Sequence, residues 1–173
     1  MNTKQAAVHR SKAQEKSLKL REQYWPSLKD DDLWHRKKHQ GFTTIPRTMP
    51  HLMNIIDSQS KNQPAGQAYF ILWCRAFDES LIVIANPSAF AAESGFTGER
   101  ALTTWRQRMR TLQELGFIDC KDGSSGRFHY VLLRNPHTVA RKLKDQIQEG
   151  LFRQLLDRAF DIGAKDMTGS YEY

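Results

Sequence analysis

The residues best placed for chemistry are cationic, amide and hydroxyl side chains along one side of a predicted helix. Helical spacing connects four apolar residues: Leu102, Trp105, Met109 and Leu112. At about 100° per residue these define a core-facing side, and the opposite side is polar. This polar face consists of Arg100, Thr103, Thr104, Gln107, Arg110, Thr111 and Glu114. Its chemistry is hydrogen bonding: in the major groove of DNA, arginine pairs with guanine, glutamine pairs with adenine, and threonine contacts the thymine methyl group.

Position around the helix separates residues suited to bases from residues suited to phosphates. The base-contact candidates near the centre of the polar face are Arg100, Thr103 and Gln107, with Thr104 and Arg110 beside them. Arg106 and Arg108 project sideways, toward the phosphates that flank a groove. We expect Thr97 to cap the helix, whose first backbone N–H groups also suit a phosphate.

A second cationic element is the predicted tip of a β-hairpin that follows this helix. Residues 117–120 and 128–133 are β-prone, and turn-forming residues fill the segment between them. The DNA-contact candidates of this tip are the flanking cations Lys121 and Arg127 and the small residues Ser124 and Ser125. Small residues between two cations allow close approach to a phosphate or to a narrow minor groove. The alternative for the tip and for the polar face is an ordinary solvated surface.

The distribution of charge favours a polyanionic partner. The chain carries 26 Lys and Arg against 19 Asp and Glu, for a net charge of +7. Residues 98–144 hold a net +6 and residues 1–24 a net +4, whereas residues 145–173 hold a net −3. A polyanion would therefore meet residues 98–144 first. The alternative is that these basic residues only solvate helix surfaces.

Two helices and a strand are expected ahead of the polar helix. Apolar spacing predicts the first helix over residues 49–56 and a second, deeply buried helix over residues 69–76, with Phe77 widening its apolar side. Residues 81–84 form a short β-branched run between turn signals and predict a strand. Residues 1–24 are polar and lysine-rich, and we expect a mobile, helical arm.

Asn and Pro pairs mark the start of two further helices. Asn86 and Pro87 predict a short helix, and the glycine-containing turn at residues 95–98 joins it to the polar helix, which ends at Gly116. Two helices joined in this way form a helix-turn-helix unit.

A last helix is predicted to follow Asn135 and Pro136, with Gly150 as a point of interruption. Its apolar ridge consists of Val139, Leu143, Ile147, Leu151 and Leu155. The first four of these ridge residues would supply a homodimer contact; the alternative is that the ridge packs on its own domain. Residues 163–173 show no periodicity, and we expect them to be loose.

The order of these elements is that of a winged helix-turn-helix domain. Residues 112–118, Leu-Gln-Glu-Leu-Gly-Phe-Ile, resemble the joint between recognition helix and wing in bacterial members, and the resemblance covers residues 46–143. Residues 42–50, 104–109 and 128–136 resemble small proteins encoded on bacterial plasmids and integrating elements. The resemblance implies a mainly α fold with a small β-hairpin wing, of the α+β class, and a mobile-element setting.

Three regions follow from this division. Residues 1–41 are a basic arm and connector, residues 42–143 the winged helix domain, and residues 144–173 a C-terminal helix extension with a loose tail. The chain has no apolar run long enough to span a membrane and no signal peptide, which predicts a cytoplasmic, nucleoid- or plasmid-associated protein.

Motifs for catalysis and for metal binding are missing from the sequence. There is no phosphate-binding loop and no nucleophile elbow, and Ser124 near His129 has no third partner, so we expect no enzyme and no cofactor. His35 and His39 have the spacing of metal ligands, but the basic residues between them oppose a cation. Two cysteines without C-x-x-C spacing predict buried thiols.

The sequence thus favours a protein that binds double-stranded DNA sequence-specifically, as a small transcriptional regulator of a mobile element. One alternative is an accessory DNA-binding protein for plasmid replication or partition. An alternative of another class is a protein-interaction module that keeps the winged fold without DNA affinity. Trp73, Trp105 and Phe77 are expected in the core rather than as stacking platforms.

Overall fold

The chain divides into two units between Phe42 and Thr43. The computed structural model describes residues 3–169, and within them the side chains of residues 12, 14–29 and 31–169. In the first unit, helix α1 runs over Thr3–Tyr24 and a 3-10 turn over Asp30–Asp32. This unit is a polar helix followed by a connector.

The connector contains aromatic contacts between its own residues. The Trp34 ring stacks on His39 with 6.0 Å between ring centroids and meets Phe42 edge-on at 5.8 Å. The backbone N–H of His35 donates to Nδ1 of His39 at 2.8 Å, so this ring nitrogen is engaged in a hydrogen bond to the backbone. Within residues 3–169, no group of three or more His, Cys, Asp or Glu side chains has the geometry of a metal site.

The second unit combines helices with one small antiparallel sheet, which confirms the predicted α+β class. Its helices are α2 Met49–Gln59, α3 Gly66–Arg75, α4 Pro87–Glu93, α5 Ala101–Glu114, α6 Pro136–Lys142, α7 Glu149–Asp161 and α8 Lys165–Thr168. Its strands are β1 Leu81–Val83, β2 Ile118–Gly123 and β3 Gly126–Leu133. The predictions of α2 to α5, of β1 and of the hairpin are confirmed.

Side-chain oxygens accept backbone hydrogen bonds at the start of three helices. The Asn86 carboxamide accepts from the backbone N–H of Ala89 at 3.3 Å and caps α4, as expected. The Asn135 carboxamide accepts from the backbone N–H groups at the start of α6. The start of α3 was not foreseen: the Asp57 carboxylate accepts from the Gly66 N–H at 2.7 Å, across the contact between α2 and α3. A Cβ at Gly66 would meet α2 at 3.0 Å, so glycine permits this close approach.

The sheet has the strand order β1-β3-β2, with both neighbours antiparallel. Ile82 pairs with Val131 and Cys120 pairs with Val131 from the other side. The hairpin turn is tighter than the predicted seven-residue segment: only Ser124 and Ser125 lie between β2 and β3. Backbone pairing therefore extends past the β-prone runs, because ladder hydrogen bonds do not require apolar side chains.

One continuous core lies between the helices and the inner side of the sheet. Its fully buried large side chains include Trp105, Tyr69, Phe117, Leu52 and Ile56. The Tyr69 and Phe117 rings meet at 5.3 Å. The expectation for Phe77 was wrong: it follows α3, in a turn, and is 87% exposed. Helix α3 ends at Arg75, so Phe77 does not lie on the apolar side of this helix.

The expectation of two buried thiols was also wrong in part. Cys74 is exposed on α3 and Cys120 is half-buried on β2, and both are free. Burial, together with the nearby Asp119 carboxylate, raises the pKa of Cys120 to about 12. This thiol stays protonated at neutral pH and is unreactive, because the thiolate is the nucleophilic form.

The last predicted helix is wrong as a continuous element. Ile147 and Gln148 are extended, with ψ of 137° and 128°, and they separate α6 with its 3-10 extension from α7. Gly150, the expected interruption, lies inside α7. The break turns α7 back onto α2. Consequently the ridge residues Val139 and Ile147 are buried within the chain, whereas Leu143 and Leu151 are half-buried.

The segment expected to be loose contains helix α8, and residues 170–173 lie outside the described residues. Met167 of α8 is completely buried. The Asp166 carboxylate lies 2.8 Å from Nδ1 of His137, and Nε2 of His137 lies 2.8 Å from the Thr48 hydroxyl. Because a carboxylate only accepts, Nδ1 of His137 donates to it, and Nε2 forms the hydrogen bond with the Thr48 hydroxyl.

This hydroxyl–imidazole–carboxylate series has the order of a nucleophile and its base, yet Thr48 has no exposed surface. The hydroxyl therefore has no access to a substrate. The series links α8, α6 and the start of α2, and we term these three residues the C-terminal latch.

The latch predicts a pH-dependent contribution to stability. Partial burial alone would raise the pKa of Asp166, but hydrogen bonds from His137 and Asn135 outweigh it and hold this pKa below its usual value. A lowered pKa stabilises the fold above the ordinary carboxyl range, and this stabilisation is lost as the pH falls through the lowered value. Asp166→Ala should reduce the free energy of unfolding at pH 7 by at most about 1 kcal/mol, because half of the side chain is exposed.

Urea unfolding at neutral and at acidic pH measures this contribution. The difference between wild type and Asp166→Ala should shrink at acidic pH, whereas Asp157→Ala on the exposed side of α7 should change little at either pH. A difference of the same size at both pH values would contradict the proposed role of the charge.

Candidate nucleic-acid interface

Helix α5 is held from one side by aromatic and aliphatic packing. Trp105 is 1% exposed, and Met109 and Leu112 are completely buried. The Trp105 ring lies 6.3 Å from Phe90 of α4 and 5.9 Å, edge-on, from Phe128 of β3. The apolar side predicted from the sequence is thus the side that α4 and the sheet hold in place.

The start of α5 differs from the prediction. Arg100, not Thr97, occupies the N-cap position, and no side chain caps the helix. Gly98 adopts a positive φ of 78°, and its carbonyl accepts from the Ala101 N–H at 3.1 Å. A backbone turn therefore replaces the Thr97 cap, and the first N–H groups of α5 are not taken by a side-chain cap.

The polar face of α5 is open to solvent. Its exposed residues are Arg100, Thr103, Gln107, Arg110 and Glu114, and Arg106 is exposed beside them. Thr104 is half-buried, and the Thr111 hydroxyl donates to the Gln107 carbonyl at 3.2 Å. The exposed surface carries three arginines against one glutamate and is cationic, with Glu114 confined to the C-terminal end.

The Arg108 side chain is engaged in contacts within the protein. It is half-buried, its Nη1 donates to the Gln63 side-chain oxygen at 3.3 Å, and its guanidinium lies 5.8 Å from the Phe96 ring centroid. These contacts link α5 to the loop after α2 and to the turn before α5. Arg108 therefore differs from Arg106, the other residue assigned to flanking phosphates.

The hairpin tip is tied to the body of the domain through Ser125. Its hydroxyl donates to the carbonyl oxygen of Ile84 and lies 2.7 Å from Nδ1 of the buried His129. Ser125 is therefore occupied within the protein, whereas Ser124 is exposed. The sequence grouped the two serines together, because adjacent turn residues give no signal of which side chain points inward.

Gly123 permits this arrangement. A Cβ at this position would come within 2.3 to 2.8 Å of atoms of the His129 side chain. Neither Gly123 nor His129 was among the predicted functional residues. The available signal was the pair of glycines that flank two serines, which is typical of a short hairpin turn rather than a seven-residue loop.

The two cations assigned to the tip lie at different places. Arg127, next to the turn, is exposed; its Nη2 contacts the Gln113 side-chain oxygen of α5 at 3.5 Å, and its guanidinium lies 5.6 Å from the Phe128 ring. Lys121 pairs with Tyr130 across the ladder, farther from the turn. Arg127 is therefore the cation shared between the hairpin and the end of α5.

Other basic residues of the 98–144 segment lie elsewhere. Arg134 and Lys142 line an open groove of about 760 Å³ between the end of α5, β2 and α6. The net +6 of this segment is consequently spread over more than one surface, and the polar face holds only part of it.

Comparison with known proteins yields no match: no protein-family model, no curated protein and no solved structure corresponds to the chain. Within residues 3–169, no helix is long and apolar enough to cross a membrane.

Packing around Gly123 predicts a destabilised hairpin in Gly123→Ala. The added methyl group would displace the buried His129 ring and should cost about 1–3 kcal/mol in the free energy of unfolding, as overpacking of a filled site does. Gly150→Ala is the matched control. Its added methyl meets no atom within 4 Å, and helical propensity favours it by up to about 1 kcal/mol.

Chemical denaturation of both variants provides the measurement. A Gly123→Ala protein as stable as Gly150→Ala would show that His129 does not occupy the space beside Gly123.

Proposed function

We propose that this chain binds double-stranded DNA sequence-specifically by placing the polar face of α5 in the major groove. In this proposal α4 and α5 form a helix-turn-helix unit, and β2 and β3 form the wing of a winged helix domain. The observation that carries the proposal is the exposure of Arg100, Thr103 and Gln107 on a helix whose opposite side is buried. A helix buried on both sides would have excluded this function.

The packing of α5 supports its use as a recognition element. Side chains that read bases must be presented on a rigid element, because precise hydrogen-bond geometry gives the specificity. Trp105 fixes α5 to α4 and to the sheet at once. The 14 residues of α5 extend for about 21 Å, and the major groove, about 12 Å wide, admits a helix.

Fewer residues are proposed to contact DNA than the sequence alone indicates. Base contacts are assigned to Arg100, Thr103 and Gln107, with Thr104 at the edge of the face. Phosphate contacts are assigned to Arg106, Arg110, Lys121, Arg127 and Ser124. Arg108 and Ser125 are left out of the contact set because their side chains are engaged within the protein.

The proposed biological role is a small regulator of a bacterial mobile element that acts by occupying its site. Action by site occupancy requires no ligand pocket, and the first unit adds a polar helix whose sequence is rich in lysine. We assign residues 1–24 to general, sequence-independent affinity, because their net charge of +4 attracts any phosphate backbone.

Selection of bound duplexes from a random library tests DNA binding and specificity together. An enriched sequence supports the proposal. Recovery of no sequence, combined with weak binding to any duplex and affinity that hardly changes with salt, would favour the protein-interaction module instead.

The division of roles predicts two kinds of variant. Gln107→Ala and Arg100→Ala should each cost about 1–3 kcal/mol on the selected sequence and alter its preference, because they remove base contacts. Arg106→Ala should weaken binding to selected and random duplexes alike, and should reduce the slope of log affinity against log salt by about 0.9.

Fluorescence anisotropy over a salt series distinguishes the two kinds. Arg153→Ala, which removes an exposed arginine from α7, is the matched control and should leave both affinities unchanged. Equal losses on selected and random duplexes for Gln107→Ala and for Arg106→Ala would refute the assigned roles.

A further inference from the structure

One side of the sheet is apolar and partly exposed to solvent. Leu81 and Val83 of β1 are 47% and 55% exposed, and Tyr130 and Leu132 of β3 are 42% and 37% exposed. Ile82 and Val131, which alternate with them, are buried in the core. Four large apolar side chains thus form one contiguous patch, and patches of this kind mark interaction sites more often than isolated exposed residues do.

Cross-strand register gives this patch a defined pattern. Leu81 pairs with Leu132, and Leu132 pairs with Asp119 on its other side. Val83 pairs with Tyr130, and Tyr130 pairs with Lys121. Residues paired across a ladder point to the same side of the sheet. The side chains therefore form two rows, each with two apolar residues and one charge, and we call these six residues the exposed sheet face.

The two charges at the β2 edge are opposite in sign. Asp119 ends the first row and Lys121 ends the second, and both are exposed. A surface with an acid and a base at matching places in two parallel rows is complementary to itself after a half-turn that exchanges the rows. This property is required of an isologous dimer interface, in which the same patch is used by both copies.

We propose that the exposed sheet face binds the same face of a second copy of this chain, sheet against sheet. The two-fold axis lies in the plane between the two sheets and runs across the strands, at right angles to them. This rotation exchanges the rows and keeps each strand opposite its own copy. Asp119 then faces Lys121 of the second copy, once in each row at the β2 edge, and Leu132 faces Tyr130 of the second copy on the central strand.

The charges select this orientation over the other aligned one. A two-fold axis parallel to the strands would place β2 over β1, so that Asp119 and Lys121 would lie on Leu81 and Val83 of the second copy. Burying an unpaired charge against aliphatic side chains is costly. Sheets packed face to face keep their strands within about 30° of each other, which leaves these two as the alternatives to compare.

This interface is separate from the polar face of α5. The inner side of the sheet packs against the apolar side of α5, where Phe128 meets Trp105. The exposed sheet face and the polar face therefore lie on opposite sides of these packed layers. The dimer does not depend on the proposed DNA binding, although it places Lys121 in a protein contact instead of a DNA contact.

Four half-exposed apolar side chains bury less area than the roughly 800 Å² per partner of a standard interface. We therefore expect a reversible dimer with a dissociation constant in the micromolar range. Sedimentation velocity of the full chain, free of nucleic acid by absorbance, from low micromolar to near-millimolar concentration should show a monomer–dimer equilibrium.

Charge reversal at Asp119 and Lys121 tests the orientation. Asp119→Lys and Lys121→Asp should each weaken self-association at least tenfold, because like charges then face each other in both rows at the β2 edge. The double variant Asp119→Lys/Lys121→Asp should restore it. An equimolar mixture of the two single variants should form a mixed dimer, since each charge of one chain meets its opposite in the other.

Glu114→Lys and Arg110→Asp on the polar face of α5 make the same changes in net charge and should leave self-association as in the wild type. Thermal melts establish that all variants are folded. A wild-type chain that stays monomeric throughout the concentration range would overturn the proposal. So would single variants that dimerise normally, or a mixture that does not associate, either of which would assign the apolar patch to a different occupant.

Discussion

The packing of Trp105 is the contact on which the rest of the second unit depends. This one side chain touches Phe90 of α4 and Phe128 of β3, and it is almost completely buried. It thereby fixes α5 relative to both the helix before it and the hairpin after it. Because packed interiors tolerate few voids, a side chain of this size determines the spacing of all three elements. The orientation of the polar face toward solvent is a consequence.

Hydrogen bonds at the margins of the core position the elements that apolar packing alone leaves adjustable. Ser125 and His129 hold the hairpin tip to the end of β1, and the C-terminal latch holds α8 to α6 and α2. Buried polar groups that are mutually satisfied specify one arrangement, since any displacement leaves a donor or an acceptor without a partner. A rigid hairpin and a fixed C-terminal segment follow from these bonds.

Two surfaces with different chemistry result from this arrangement. The polar face of α5 is cationic and rich in hydrogen-bonding groups, which suits a polyanion. The exposed sheet face is apolar with one acid and one base, which suits a surface like itself. Their separation on opposite sides of the packed layers allows both to be occupied, and self-association through the exposed sheet face would place the polar faces of the two copies on opposite outer sides of the dimer.

Local pattern in the sequence determined the elements: helical spacing in α2, α3 and α5, the Asn-Pro starts of α4 and α6, and the glycine turn before α5 all operate over a few residues. The polar face was predictable for the same reason. Tertiary contacts decided the rest. They engaged Arg108 and Ser125 within the protein, exposed Phe77, broke the last helix at Ile147, and left one side of the sheet apolar and open. Each of these outcomes depends on residues far apart in the chain, and a periodicity of 2 or 3.6 residues carries no information about such partners.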